Sequence, residues 1–169
     1  VFKAFNRCAT EVCEGQQWDM EFEKTDVVSE RQYIEMIRLK TATLLGFSLE
    51  LGAILANASL KDRKTLRVAG ENMGIGFQLR DDLLDAYADP GKFGKQVGGD
   101  IMANKKTYLL IHARQKADDG TKAELIKWMS LKKFRKAEKI QAIKTIYDRL
   151  DIPKLASRKA DYFFDKAFA

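Results

Sequence analysis

Only two prolines and eleven glycines occur in 169 residues, and no adjacent segments alternate strictly between apolar and polar residues. A sheet has little to be built from, so an all-helical chain is expected. There is a single histidine, His112, which sets aside a paired-histidine zinc site and a serine–histidine triad. His112 is read as structural. The two cysteines, Cys8 and Cys13, lie five residues apart inside a helical pattern, matching neither a disulfide framework nor a zinc spacing. They read as packing thiols of a reducing, cytoplasmic compartment. The densest apolar run, 44–60, is broken by Ser48, Glu50 and Asn57, so a buried core helix is expected rather than stable membrane insertion. No signal peptide is present, and the chain starts at Val1 in mid-pattern without an initiator methionine, which reads as a cut end.

What is present is charge. A net charge of +6 and a pI near 9.2 suit a nucleic acid, an anionic membrane surface or a small polyanion. Lysines and arginines are spread among acids in most helices rather than gathered in one stripe, which weighs against nucleic acid. The length suits one all-helical domain over 1–169.

Along the chain, Phe2, Phe5, Ala9 and Val12 paint one helical stripe that continues through Gly15, Gln16 and Asp19. Gly15 costs a helix up to about 1 kcal/mol relative to alanine, so it marks either a bend or a close approach. Ser29 and Gln32 form a capping box opening a helix to about Ala56. Within it Lys40 either reaches solvent or faces an anion. A third helix starts near Lys61, loses all charge between 72 and 79, and ends in Asp81, Asp82 and Asp85. A glycine- and lysine-bearing loop follows to about Asn104, suited either to phosphate oxygens or to plain solvent. Helices are then expected over 107–116, over a short segment capped by Thr121, over 137–150 and over 152–169.

The acidic cluster organises the rest. Asp81 and Asp85 share a helical face, with Asp82 on the flank, at the end of the helix where its dipole disfavours negative charge. A hard divalent cation would compensate. Magnesium uses a few carboxylates plus waters and substrate phosphates, and nearby lysines could hold the remaining phosphate oxygens. An apolar helical cavity beside them fits an apolar diphosphate.

In order, Gly15-Gln16-x-x-Asp19, Lys40-Thr41, Phe77-Gln78-x-x-Asp81-Asp82-x-x-Asp85, Gly94-Lys95-x-x-Gly98-x-Asp100 and Lys105-x-Thr107-Tyr108 resemble the C-terminal half of trans-isoprenyl diphosphate synthases, the polyprenyl synthetase family. The resemblance implies the all-α isoprenoid synthase-type helical bundle, here lacking its N-terminal helices. It implies Mg2+ on Asp81, Asp82 and Asp85, and an allylic diphosphate contacted by Lys40, Lys95 and Lys105. Thr41 and Gln78 would turn oxygens toward the developing allylic cation, and Phe77 would line the isopentenyl diphosphate site. Gln16 and Asp19 would support the cavity wall and Lys40. The implied reaction is ionisation of the allylic diphosphate, attack by isopentenyl diphosphate and proton loss, in a homodimer. Two departures stand out: no first DDxxD motif occurs in these 169 residues, and Asn104 stands where glycine is commoner in relatives. The chain is therefore expected to be part of such an enzyme and inactive alone. A class I terpene cyclase and a non-catalytic subunit of a heteromeric synthase are the alternatives.

Overall fold

The capping box at Ser29 forms as its spacing requires: the Ser29 hydroxyl accepts from the Gln32 amide, and the Gln32 side chain accepts from the Ser29 amide. In the computed structural model, which describes residues 1–89 and 97–169, every regular element is a helix. These are α1 (Phe2–Lys24), α2 (Glu30–Ile37), a π turn (Arg38–Ala42), α3 (Thr43–Leu55), α4 (Leu60–Tyr87), α5 (Gly99–Met102), α6 (Tyr108–Lys116), α7 (Asp119–Ser130), α8 (Lys136–Arg149) and α9 (Ile152–Phe168).

Helix α4 is the axis of the bundle, packed along α3 on one side and α9 on the other. Its charge-free stretch is interior, with Gly74, Ile75, Gly76 and Leu79 buried. The small residues there have a steric cause. A β-carbon on Gly74 would lie 2.4 Å from the Ala42 Cα, so glycine is what lets α4 touch the π turn. The core continues through Tyr33, Leu79, Leu125, Ile146 and Ala160.

Several expectations change. Helix α3 is not enveloped: it packs against α4 and α1, while Leu44, Leu45, Leu49 and Leu55 are exposed. Its all-round apolar pattern reports surface as well as core. The cap of α7 is Asp118, whose carboxylate accepts from the Thr121 amide at 2.7 Å, and Thr121 lies inside the helix. Aspartate outranks threonine at this position because its charge also complements the helix N-terminus. The expected loop contains the short helix α5. Of the two thiols, Cys8 packs inside and Cys13 is exposed. Gly94 and Lys95 lie outside the described residues. Among the described residues, no helix is long and apolar enough to cross a membrane.

Candidate active site

Lys40 and Thr41 sit in the π turn, where the α-helical ladder is widened and successive side chains are re-aimed, an arrangement frequent at functional sites. Helix α1 crosses directly over it. A β-carbon on Gly15 would lie 2.3 Å from the Lys40 amide nitrogen, which settles the two readings of Gly15 in favour of close approach. One turn further along α1, the Asp19 carboxylate accepts from Lys40 Nζ at 2.6 Å. Lys40 therefore faces an anion supplied by the protein.

From α4, Gln78 and Asp82 complete a relay. The Thr41 hydroxyl donates to Gln78 Oε1 at 3.0 Å, and Gln78 Nε2 donates to Asp82 Oδ1 at 3.2 Å. The other carboxylate oxygen accepts from the hydroxyl of Tyr33, a fully enclosed residue of α2. With its amide nitrogen committed to Asp82, Gln78 presents its oxygen toward Thr41. Burial pushes the Asp82 carboxyl up to about 7, against the opposing pull of the Tyr33 and Gln78 hydrogen bonds. Burial likewise pushes the Tyr33 phenol well up, and the adjoining Asp82 charge adds to it.

Asp85 is engaged differently. Its Oδ2 accepts from the Asp100 amide at 3.0 Å and its backbone oxygen accepts from the Gly98 amide at 2.6 Å, so it anchors the start of α5. Lys105 Nζ lies 3.8 Å from Asp100 Oδ1. Burial alone lowers the lysine, but Asp100, Asp19, Asp82 and Asp85 together raise its pKa and hold it charged. Asp100 is itself raised by burial, with Lys105 pulling it back only partly.

The result is a cleft lined by Asp19, Tyr33, Lys40, Thr41, Gln78, Asp82, Lys105 and Thr107. It adjoins a cavity lined by Asp82, Asp85, Asp100 and Lys105. Most of the sequence-derived candidates are thus brought together. Asp81 is half-buried on α4 outside both linings, Gln16 is exposed, and Phe77 is 56% exposed. Lys95 lies outside the described residues. Tyr33 was not among the candidates, because its place in an apolar stripe hides a polar function. The usable signal was its spacing, seven residues before Lys40 and so two helical turns away on one face.

The structure also revises the argument from repulsion. Asp82 is partnered by Tyr33 and Gln78, Asp85 by the α5 amide, and both face Lys105, so part of the repulsion within the cluster is relieved by the protein itself. Among the described residues, no three Asp, Glu, His or Cys side chains converge as a closed metal cage. Magnesium does not require one: one or two carboxylates completed by water and phosphate oxygens suffice, and this all-oxygen donor set beside lysines suits that arrangement.

The family model described as "Polyprenyl synthetase" matches residues 1–147. A short chain isoprenyl diphosphate synthase from Methanocaldococcus jannaschii is 37% identical over 154 residues, covering 91% of this chain and 47% of that protein. A crystal structure of a geranylgeranyl pyrophosphate synthase superposes with a TM-score of 0.92 at 40% identity, covering 98% of this chain and 51% of that one. A polyprenyl synthase from Caulobacter crescentus, solved with calcium and isoprenyl diphosphate, superposes with a TM-score of 0.89 at 25% identity, covering 98% of this chain and 50% of that one. The chain spans about half the length of the relatives it matches, and its helices follow the isoprenoid synthase fold. On the match over residues 1–147, the chain belongs to the polyprenyl synthetase family.

Proposed function

We propose that this chain provides the diphosphate-holding half of a prenyltransferase site that joins an allylic diphosphate to isopentenyl diphosphate and yields a longer polyprenyl diphosphate. The observation that carries the reading is that Lys40, Lys105 and Asp82 line one cleft with the Thr41–Gln78 hydrogen bond, and that Asp82, Asp85 and Lys105 line the adjoining cavity. The solved relative holding calcium and isoprenyl diphosphate supports the ligand class. Lys40 and Lys105, joined by Lys95, take oxygens of the leaving diphosphate as point charges. Magnesium, when bound, supplies Lewis-acid neutralisation of that charge. Asp81 and Asp85 are the carboxylates available to hold it, and Asp82 acts from behind by orienting Gln78.

With its amide fixed on Asp82, Gln78 offers a carbonyl dipole, and Thr41 a hydroxyl oxygen, to a carbocation forming beside them. Phe77, exposed on α4, offers an apolar wall to isopentenyl diphosphate, while Asp19 borders the α1 side and the exposed Gln16 stands three residues before it. These 169 residues contain one aspartate-rich motif, so the chain by itself binds and does not turn over.

The test is calorimetry of the chain with an allylic diphosphate, with and without Mg2+, followed by product analysis after adding isopentenyl diphosphate. Magnesium-dependent binding that weakens about tenfold or more in Lys105→Ala supports the reading. Binding indifferent to both magnesium and Lys105 overturns it. Efficient prenyl transfer by the chain alone keeps the substrate class and removes the claim of inactivity.

A further inference from the structure

Lys139 is the one lysine or arginine among the buried residues described, at 1% exposure on α8. Its ammonium donates to Asn104 Oδ1 at 2.8 Å and to the Met102 carbonyl at 3.3 Å, and lies 4.6 Å from the Phe134 ring centroid. Burying an ammonium against neutral oxygens is costly, so its retention asks for a reason.

That reason lies in the turn it grips. Helix α5 ends in a Schellman motif: the Asn104 amide donates to the Ile101 carbonyl at 3.2 Å and the Lys105 amide to the Asp100 carbonyl at 2.9 Å. Asn104 supplies the left-handed residue, at φ 51°. Its side chain does more than tolerate that backbone. The amide nitrogen donates to the Met129 carbonyl at 3.0 Å while the amide oxygen takes Lys139, so the turn is tied to both α7 and α8. Helix α5 has only four residues and cannot hold its own end. The very next residue after the tie is Lys105.

We propose that Lys139, acting through Asn104, is a positioning residue that holds Lys105 at the carboxylate-lined cleft. The proposal rests on the reading of Lys105 as a diphosphate ligand. Asn104 and Lys139 form a matched pair that does the work of anchoring the turn, where glycine alone would supply only the backbone angle.

The test uses the full 169-residue chain and two readouts. The first is hydrogen exchange at the Lys105 amide, with Ile143 on α8 as the internal reference. The second is calorimetry with Mg2+ and inorganic diphosphate. Lys139→Met should speed exchange at Lys105 about tenfold and leave Ile143 unchanged, because two buried acceptors lose their donor. Diphosphate affinity should fall about fivefold, and this loss should vanish in a Lys105→Ala background, which a purely structural contribution would not do. Should Lys139→Met fail to fold, Asn104→Gly keeps the backbone angle, removes both the Lys139 acceptor and the donor to Met129, and should speed Lys105 exchange at least about threefold. Unchanged Lys105 exchange in the folded variants overturns the proposal, as does an equal affinity loss with and without Lys105. A wild-type chain that ignores magnesium diphosphate would instead sink the reading of the site, and amide exchange would still decide the role of Lys139.

Discussion

Gly15 shows how one missing methyl group shapes the site. Alanine there gains up to about 1 kcal/mol of helix propensity, yet its β-carbon would meet the Lys40 backbone at 2.3 Å, and backbone cannot step aside as a side chain can. Overpacking of this kind costs about 1–3 kcal/mol, so Gly15→Ala is expected to destabilise the chain by about 2 kcal/mol in urea unfolding and to weaken Lys40-dependent ligand binding. A variant as stable as the parent would refute the contact. His112 sets a second expectation. It stacks on Tyr108 at 4.2 Å between centroids, and its Nε2 lies 3.1 Å from Glu30 Oε2 in an alignment that does not make a hydrogen bond. Burial holds the imidazole below 6.5, with Lys159 and Lys116 adding to this and Glu30 opposing it. The unfolded chain therefore binds more protons as pH falls through 6.5, and the native state loses stability in that direction. Asp82, whose carboxyl is raised, runs the opposite way, so the comparison must be between the parent and His112→Phe at each pH. Relative to that variant, the parent should lose stability as pH falls below about 6.5. A pH-independent difference would count against it.

Elements place what residues cannot place alone. Helix α2 reaches α4 through the Tyr33 hydroxyl on Asp82, and Tyr33→Phe leaves that buried carboxylate with Gln78 as its remaining side-chain donor. Losing a hydrogen bond to a charged group costs about 1.5–3 kcal/mol, and the loosened carboxylate should also release Gln78, so stability and allylic diphosphate affinity are expected to fall together in Tyr33→Phe. Full affinity in that variant would separate Tyr33 from the site. The contrast with Ser29 is instructive, since its capping box was legible from two residues three apart. A local signal of that kind gave the helix start at Ser29, and periodicity gave the amphipathic helices toward the C-terminus, whereas the Ser59 cap that opens α4 was not read. The π turn was invisible, because its widened ladder follows from the packing of Ala42 on Gly74 and of Lys40 under Gly15, contacts distant in sequence. Helix α5 was equally hidden, being held by the Asp85 carboxylate and the Lys139 ammonium rather than by its own four residues. The relay from Thr41 to Asp82 follows the same logic: the residue types were legible through the family motifs, their hydrogen-bond order was not.

At the scale of the molecule, the misread helix α3 carries the consequence. Leu44 is 54% and Leu55 69% exposed, Leu45 and Leu49 join them, and α1 adds Phe2 at 75% and Phe5 at 52%. The two helices are neighbours here, with Phe5 against Phe47 at 6.1 Å and Arg7 bridging to Glu50. An apolar surface of this breadth on a chain spanning about half the length of its relatives is a face that water disfavours. The net charge of +6 opposes self-association, and that repulsion is screened within about 8 Å at physiological ionic strength while apolar attraction is not. The two effects predict a definite salt dependence: the chain should bind an apolar dye, and its apparent mass in light scattering should rise above 19.2 kDa as salt increases. Replacing Leu45 and Leu49 together by glutamate puts two charges on the face without touching any residue of the cleft, so dye binding and association should both drop while magnesium diphosphate affinity is retained. A parent chain that stays monomeric and dark to the dye at high salt would show that this face is satisfied within the bundle, and the reading of α3 as half-covered would have to be abandoned.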